Sequence, residues 1–443
     1  MSDATGLPDW VADDRRHVWH PYTQMLTAPP AVPIARAEGV YLHTADGRRI
    51  LDGISSWWVN IHGHNHPRLN RALVEQASRL AQVIFAGFTH EPAARLAAEL
   101  SRRAPGNLPR VFFSDDGSTA VEVALKLAYQ HWRNRGEPQR SLFVALDNAY
   151  HGDTFGAMAA GGVGAFHETF RNLFFEVRRA RLPFRASEGE DLEALLDRDG
   201  HRVAAVIVEP MLQGAGGMIV WPASFLRRIR ELCTSHGIPL IADEVLTGFG
   251  RTGKLFACEH GPIAPDILCV SKALTGGYLP LSATLVSEEL YASFLSQDRS
   301  RTFFHGHSYT ANALACAVAL ESLTLFDDEH RLERVAELER LFAGRLQALS
   351  RRPGVKETRG IGAVAVVELG DTELKDAELA DDTARGYLSA LGPRLHAHFL
   401  ERGILLRPLG SVLYFMPPYV ITDSEAHWVF DEIERALENS ASS

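Results

Sequence analysis

Val203-Ala-Ala-Val-Ile-Val208 runs into Glu209-Pro210, Ile238-Pro-Leu-Ile-Ala242 into Asp243-Glu244, and Asp266-Ile-Leu-Cys-Val270 into Ser271-Lys272. These short apolar runs, rich in β-branched residues, show no polar alternation, so each predicts a strand buried on both faces. Helical spacing fills residues 223–236 between the first two. Strands and helices alternating in this way build an α/β fold around a mostly parallel sheet. Ligands bind beyond the carboxyl ends of such strands. An acid, a second acid and a lysine are therefore expected at adjacent strand ends.

Working outward, residues 141–146 and 282–286 predict further strands. Apolar residues recur at helical spacing over 67–81, 90–102, 118–133 and 311–326. Residues 33–51 read as short strands around a turn at Ala45-Asp46-Gly47. Beyond residue 327, a helix over 332–349 and strands around 363–369 and 412–415 predict a smaller α+β domain. The expected division is an N-terminal segment 1–70 serving the small domain and the site, a large ligand-binding domain 71–327, and a small domain 328–443.

Composition narrows the function. The 443 residues carry a net charge of −10 and are 46% hydrophobic, which suits a globular enzyme and argues against a general nucleic-acid binder. Cys233, Cys258, Cys269 and Cys316 form no CxxC pair and read as reduced, buried residues, pointing to the cytoplasm. The first 16 residues hold no apolar core fit for a signal peptide. No apolar run approaches the roughly 20 residues that span a bilayer.

The 45 basic residues include five lysines: Lys126, Lys254, Lys272, Lys356 and Lys375. Lys272 follows a buried strand and precedes the small-residue loop Ala273-Leu-Thr-Gly-Gly277. Burial there lowers a lysine's pKa and readies it for Schiff-base chemistry. Asp243, one strand-helix unit earlier, suits a protonated ring nitrogen. Phe113-Ser-Asp-Asp-Gly-Ser-Thr-Ala-Val-Glu122 breaks a strand and opens a helix. Its Gly117 and Ser118 suit an anion at a helix N-terminus. Asn148-Ala-Tyr-His-Gly152 places Tyr150 where its ring can stack on a flat ligand. Each feature alone has a plainer explanation: a strand-end lysine in solvent, a turn-capping aspartate, an ordinary helix cap, a core tyrosine. His62, His64 and His66 alternate, as do His305 and His307, which keeps a metal-dependent hydrolase as the rival class.

Together, Ile241-Ala-Asp-Glu-Val-Leu-Thr-Gly-Phe-Gly-Arg-Thr-Gly253, Pro265-Asp-Ile and Ser271-Lys-Ala-Leu-Thr-Gly-Gly277 resemble the class III (ω-type) aminotransferases of fold type I. The likeness covers nearly the whole chain. Trp19-His-Pro-Tyr-Thr-Gln24, Asp52-Gly-Ile-Ser-Ser-Trp-Trp58, Gln213-Gly-Ala-Gly-Gly217, Arg407-Pro-Leu-Gly410 and Met416-Pro-Pro-Tyr419 are similar to the biotin-pathway branch of that class. That branch aminates 8-amino-7-oxononanoate to 7,8-diaminononanoate.

The resemblance implies pyridoxal 5'-phosphate on Lys272, Asp243 at its pyridine nitrogen and Tyr150 stacked on its ring. It implies a phosphate held by Gly117, Ser118 and, from the partner of a homodimer, Ser308. Tyr22, Trp57, Tyr150, Gly306 and Arg407 are implied substrate contacts, with Arg407 on the carboxylate. The run His305-Gly-His-Ser-Tyr309 departs from the Pro-Thr pair of many relatives that use S-adenosylmethionine, and lysine-using relatives are similar here. S-adenosylmethionine is the expected donor and lysine the alternative. An ω-amino-acid:pyruvate aminotransferase is the other possibility within the class.

Overall fold

The computed structural model describes residues 7–184, 189–370 and 389–441. Lys375 and the first six residues of the chain lie outside these. In chain order the strands are β1 Ile34–Glu38, β2 Tyr41–Thr44, β3 Arg49–Asp52, β4 Arg110–Ser114, β5 Leu142–Leu146, β6 Val177–Ala180 and β7 Val203–Val208. They continue with β8 Leu212–Gln213, β9 Ile219–Val220, β10 Leu240–Asp243, β11 Ile267–Val270, β12 Ser282–Val286, β13 Val355–Ile361, β14 Val364–Leu369, β15 Ile404–Leu405 and β16 Val412–Phe415.

The central sheet has seven strands in the order β4-β12-β11-β10-β7-β5-β6. Parallel pairing joins β11, β10, β7, β5 and β6, while β12 runs antiparallel to both β11 and β4. The expected α/β architecture is thus present. Every residue of β5, β7, β10, β11 and β12 is buried, which explains the unbroken apolar runs of β5, β7 and β11. Fully burying each Val, Ile or Leu here stabilises the fold by roughly 1.5–3 kcal/mol.

Helix boundaries shift slightly from expectation. The helix expected over 67–81 is the shorter Pro67–Ala77, with Ser78 as its C-cap. Residues 33–51 make three strands. β15 pairs in parallel with β3, so the N-terminal strands and a C-terminal strand share one sheet. β13, β14 and β16 form another. No helix among the described residues is long and apolar enough to cross a membrane.

The tandem tryptophans Trp57 and Trp58 sit not on a strand but in a strained turn at Ser55–Trp58. Ser55, Ser56 and Trp58 all take positive φ, at 52°, 61° and 68°. Each such conformation costs roughly 1–2 kcal/mol outside glycine. Buried Asp52 holds the turn, accepting the Ser56 N–H at 2.6 Å and the Ile54 N–H at 3.3 Å. Ser55 donates to the Met416 carbonyl at 2.8 Å, and the Arg251 guanidinium reaches both Ser55 and the Pro417 carbonyl. Three motifs far apart in sequence therefore interlock behind the site.

Candidate active site

A cavity of about 670 Å³ opens beyond the carboxyl ends of β7, β10 and β11, lined by Glu209, Asp243 and Lys272 together with Gly117, Ser118, Tyr150 and Trp58. Five residues singled out from the sequence, Lys272, Asp243, Gly117, Ser118 and Tyr150, thus share one wall system.

Lys272 occupies a backbone position with φ of 24°, and its Nζ lies 5.2 Å from the centre of the Trp58 ring. Burial lowers its pKa from the ordinary lysine value, and the charges of Asp243 and Glu209 oppose that shift. Trp58 is itself fixed, its indole N–H donating to the Tyr414 hydroxyl at 3.0 Å.

Asp243 Oδ2 lies 2.7 Å from His151 Nδ1, and its Oδ1 accepts the Val245 N–H at 3.1 Å. Both side chains are buried, so the pair is shielded from water. Among the described residues, buried His151 Nε2 finds no hydrogen-bond partner. The Asn148–Gly152 run carries His151, but nothing in its local sequence marks it out. It stands 92 positions from Asp243, so no local spacing could link the two.

Helix Gly117–Asn134 begins at the cavity, capped by Asp116, whose carboxylate accepts the Thr119 N–H at 2.9 Å. Glycine is needed at position 117, since an added Cβ would lie 2.4 Å from Val245 Cγ1. At Gly152 it would lie 2.3 Å from Ser118 Oγ, with a φ of +122° besides. The Ser118 hydroxyl faces Thr154 Oγ1 at 2.8 Å and accepts the Thr154 N–H. The helix N-terminus, two glycines and two hydroxyls form a cradle shaped for an anion.

Tyr150 stands at the mouth. Its hydroxyl lies 3.3 Å from that of Tyr22, which donates to Asp153 at 2.6 Å. Burial raises the Tyr150 pKa, so the phenol stays neutral. Tyr22 meets the Trp57 ring edge-on at 5.6 Å, and the Arg407 guanidinium lies 5.5 Å from the Trp57 ring centre. Trp57 is 44% exposed whereas Trp58 is 5% exposed. An aromatic wall ending in a cation thus leads outward from the cavity.

Gly306 and Ser308 do not line this cavity. They belong to an exposed stretch in which the Ser308 carbonyl accepts from Gln82 at 2.8 Å. The alternating histidines disperse to separate partners: His62 to Ser322, His64 to Asp52 and His66 to Glu329. His305 meets Lys126, and His307 meets Asp115. Among the described residues, no group of three or more His, Cys, Asp or Glu is placed to hold a metal ion. Glu244, beside Asp243, is buried and accepts the Ala257 and Cys258 amides at 2.7 and 2.8 Å.

A family model described as aminotransferase class-III matches residues 23–437. An adenosylmethionine-8-amino-7-oxononanoate aminotransferase from Synechococcus elongatus is 45% identical, covering 95% of this chain and 98% of its own. One of the same name from Geobacter sulfurreducens is 41% identical over 98% of each chain. Among solved structures, an aminotransferase of that name from Methanocaldococcus jannaschii matches with a TM-score of 0.91 and 36% identity, covering 97% of this chain and 98% of its own. A PLP-bound amine transaminase from an uncultivated Pseudomonas species gives a TM-score of 0.85 at 34% identity, covering 96% and 99%. With its central sheet, buried strand-end lysine and matches running almost end to end, this chain belongs to the class-III aminotransferase family.

Proposed function

We propose that this aminotransferase converts 8-amino-7-oxononanoate to 7,8-diaminononanoate, the step its biotin-pathway relatives are named for, with pyridoxal phosphate as cofactor and S-adenosylmethionine as amino donor. The observation that carries the reading is the meeting of Lys272, Asp243 and the Gly117–Asn134 helix start in one cavity. Their chemistry fits the cofactor's three handles: an amine for its aldehyde, a carboxylate for its ring nitrogen and N–H groups for its phosphate. The cradle that a Cβ at Gly117 or Gly152 would fill supports the same assignment.

When bound, the cofactor supplies an aldehyde that accepts nitrogen and a ring that draws electrons from the substrate carbon. Lys272 would anchor it through Nζ and would serve as the base that carries a proton between the reacting carbons. Burial favours the neutral, proton-accepting form of this lysine. Asp243 holds positive charge on the ring nitrogen, and His151 fixes the orientation of its carboxylate. Tyr150 would stack on the ring, while Gly117 and Ser118 would hold the phosphate, with Ser308 contributed from the partner of a cytoplasmic homodimer. Tyr22, Trp57 and Trp58 accommodate the aliphatic body of the oxononanoate, with Gly306 at the rim. Arg407 forks onto its carboxylate.

The test is the visible absorption of the purified protein loaded with pyridoxal phosphate. S-adenosylmethionine should bleach the yellow band, and adding the oxononanoate should then restore it with the diamine detectable by mass spectrometry. Bleaching by lysine but not S-adenosylmethionine would overturn the donor assignment. Failure of the chain to develop any band would overturn the cofactor assignment.

A further inference from the structure

Glu209 follows β7 and is 4% exposed, yet the chemistry above gives it nothing to do. Its two oxygens face different loops. Oε1 accepts the Tyr150 N–H at 2.9 Å, and Oε2 accepts the Gly214 N–H at 3.0 Å. The first loop carries the tyrosine at the cavity mouth and the histidine that pairs with Asp243. The second, residues 213–217, packs tightly beneath it: a Cβ on Gly216 would lie 1.9 Å from the Asn148 carbonyl oxygen. This second loop is in turn held from the small-domain sheet. Arg359 of β13 donates to the Gly217 carbonyl at 2.6 Å and the Met218 carbonyl at 2.7 Å.

The hydrogen-bond arithmetic restricts what can stand at position 209. Two N–H donors require two acceptors, which an ionised carboxylate provides. An amide offers one acceptor and turns an NH₂ against the other N–H. Burial pushes the Glu209 carboxyl up to about 7, while the His151 charge and the two amides pull the other way.

We propose that Glu209 is a positioning residue: its two side-chain oxygens tie Tyr150 to the 213–217 loop and so fix the tyrosine ring against the bound cofactor. This rests on the proposed role of Tyr150 in stacking. The consequence is a continuous set of hydrogen bonds from the small-domain sheet, through Arg359, the 213–217 loop and Glu209, to the side chain that covers the cofactor.

The experiment compares wild type with Glu209→Gln and Glu209→Asp, the latter keeping the charge but one methylene too short to span both loops. Deuterium exchange is measured first on the protein without cofactor. Peptides covering residues 147–154 and 212–218 should exchange roughly ten- to a hundredfold faster in both variants, as expected for loss of one buried charge-assisted hydrogen bond. Helix Arg331–Leu349 should keep its protection. Loaded with pyridoxal phosphate, both variants should bind it about tenfold more weakly and show a displaced visible band.

Unchanged exchange in the two loops would overturn the proposal. So would loss of protection throughout both variants, because Glu209 would then support the whole core and not one side chain. If wild type takes up no pyridoxal phosphate, the functional reading fails while the exchange result still judges the tie between the loops. If wild type binds it and both variants bind and absorb identically to wild type, the positioning role alone fails.

Discussion

Gly117→Ala tests the phosphate cradle at a single methyl group. The added carbon would lie 2.4 Å from Val245 Cγ1 and 3.0 Å from Cγ2. Carbon atoms prefer about 3.5–4.0 Å, so the helix start and the valine must separate by about 1 Å. Overpacking of this kind costs about 1–3 kcal/mol. Alanine's better helix propensity returns about 1 kcal/mol at most. A net loss of up to about 2 kcal/mol is expected, and it falls on the N–H groups proposed to hold the anion. Affinity for pyridoxal phosphate should therefore drop about tenfold, since about 1.4 kcal/mol corresponds to a factor of ten. Titration of the protein with cofactor, followed by visible absorption, measures it. The decisive comparison adds Val245→Ala, which removes both methyl groups of the clash. The double variant should recover most of the Gly117→Ala loss, giving a coupling of about 1–2 kcal/mol. Strictly additive losses, or wild-type affinity in Gly117→Ala, would show that this glycine is not there for close approach.

Lys272→Ala should abolish transamination while leaving the fold without cofactor intact by circular dichroism; appreciable turnover would remove the lysine from its role. Because burial lowers the Lys272 pKa, uptake of pyridoxal phosphate should accelerate with rising pH and level off below the ordinary lysine value of 10.5. Stopped-flow absorbance would show this, and a midpoint at or above that value would contradict it. Arg407→Ala should raise KM for the oxononanoate by one to two orders of magnitude, roughly the 1.5–3 kcal/mol of a charge-assisted hydrogen bond, with a smaller effect on the donor. Equal losses for both substrates would deny Arg407 its carboxylate role. Burial raises the Glu209 carboxyl from 4.5 to about 7, so the folded state holds its proton over a range in which the unfolded state does not. The stability this contributes is complete below 4.5 and is lost as pH rises through 7. In urea unfolding, the advantage of wild type over Glu209→Gln should shrink across that window by up to about 1.4 kcal/mol per pH unit. A constant difference would show that Glu209 titrates normally.

The sequence by itself determined the central sheet, because strands buried on both faces leave an unmistakable record: Val203–Val208 and Ile267–Val270 are apolar from end to end. It also placed Lys272 and Asp243 at strand ends, because topology puts ligands there whatever the side-chain details. The Gly117 cradle was legible for the same reason, since a helix start and a glycine are local features. Tertiary structure alone decided which distant groups meet. His151 reaches Asp243, Glu209 bridges Tyr150 and Gly214, and Ser55 binds Met416 across 361 positions. Alternating histidines looked like ligands because period two is local, but a loop scattered them among Ser322, Asp52 and Glu329. The Ser55–Trp58 turn escaped for a related reason. Its positive φ angles persist because Asp52, Arg251 and Met416 over-determine them, and no local propensity predicts a conformation that only packing can hold.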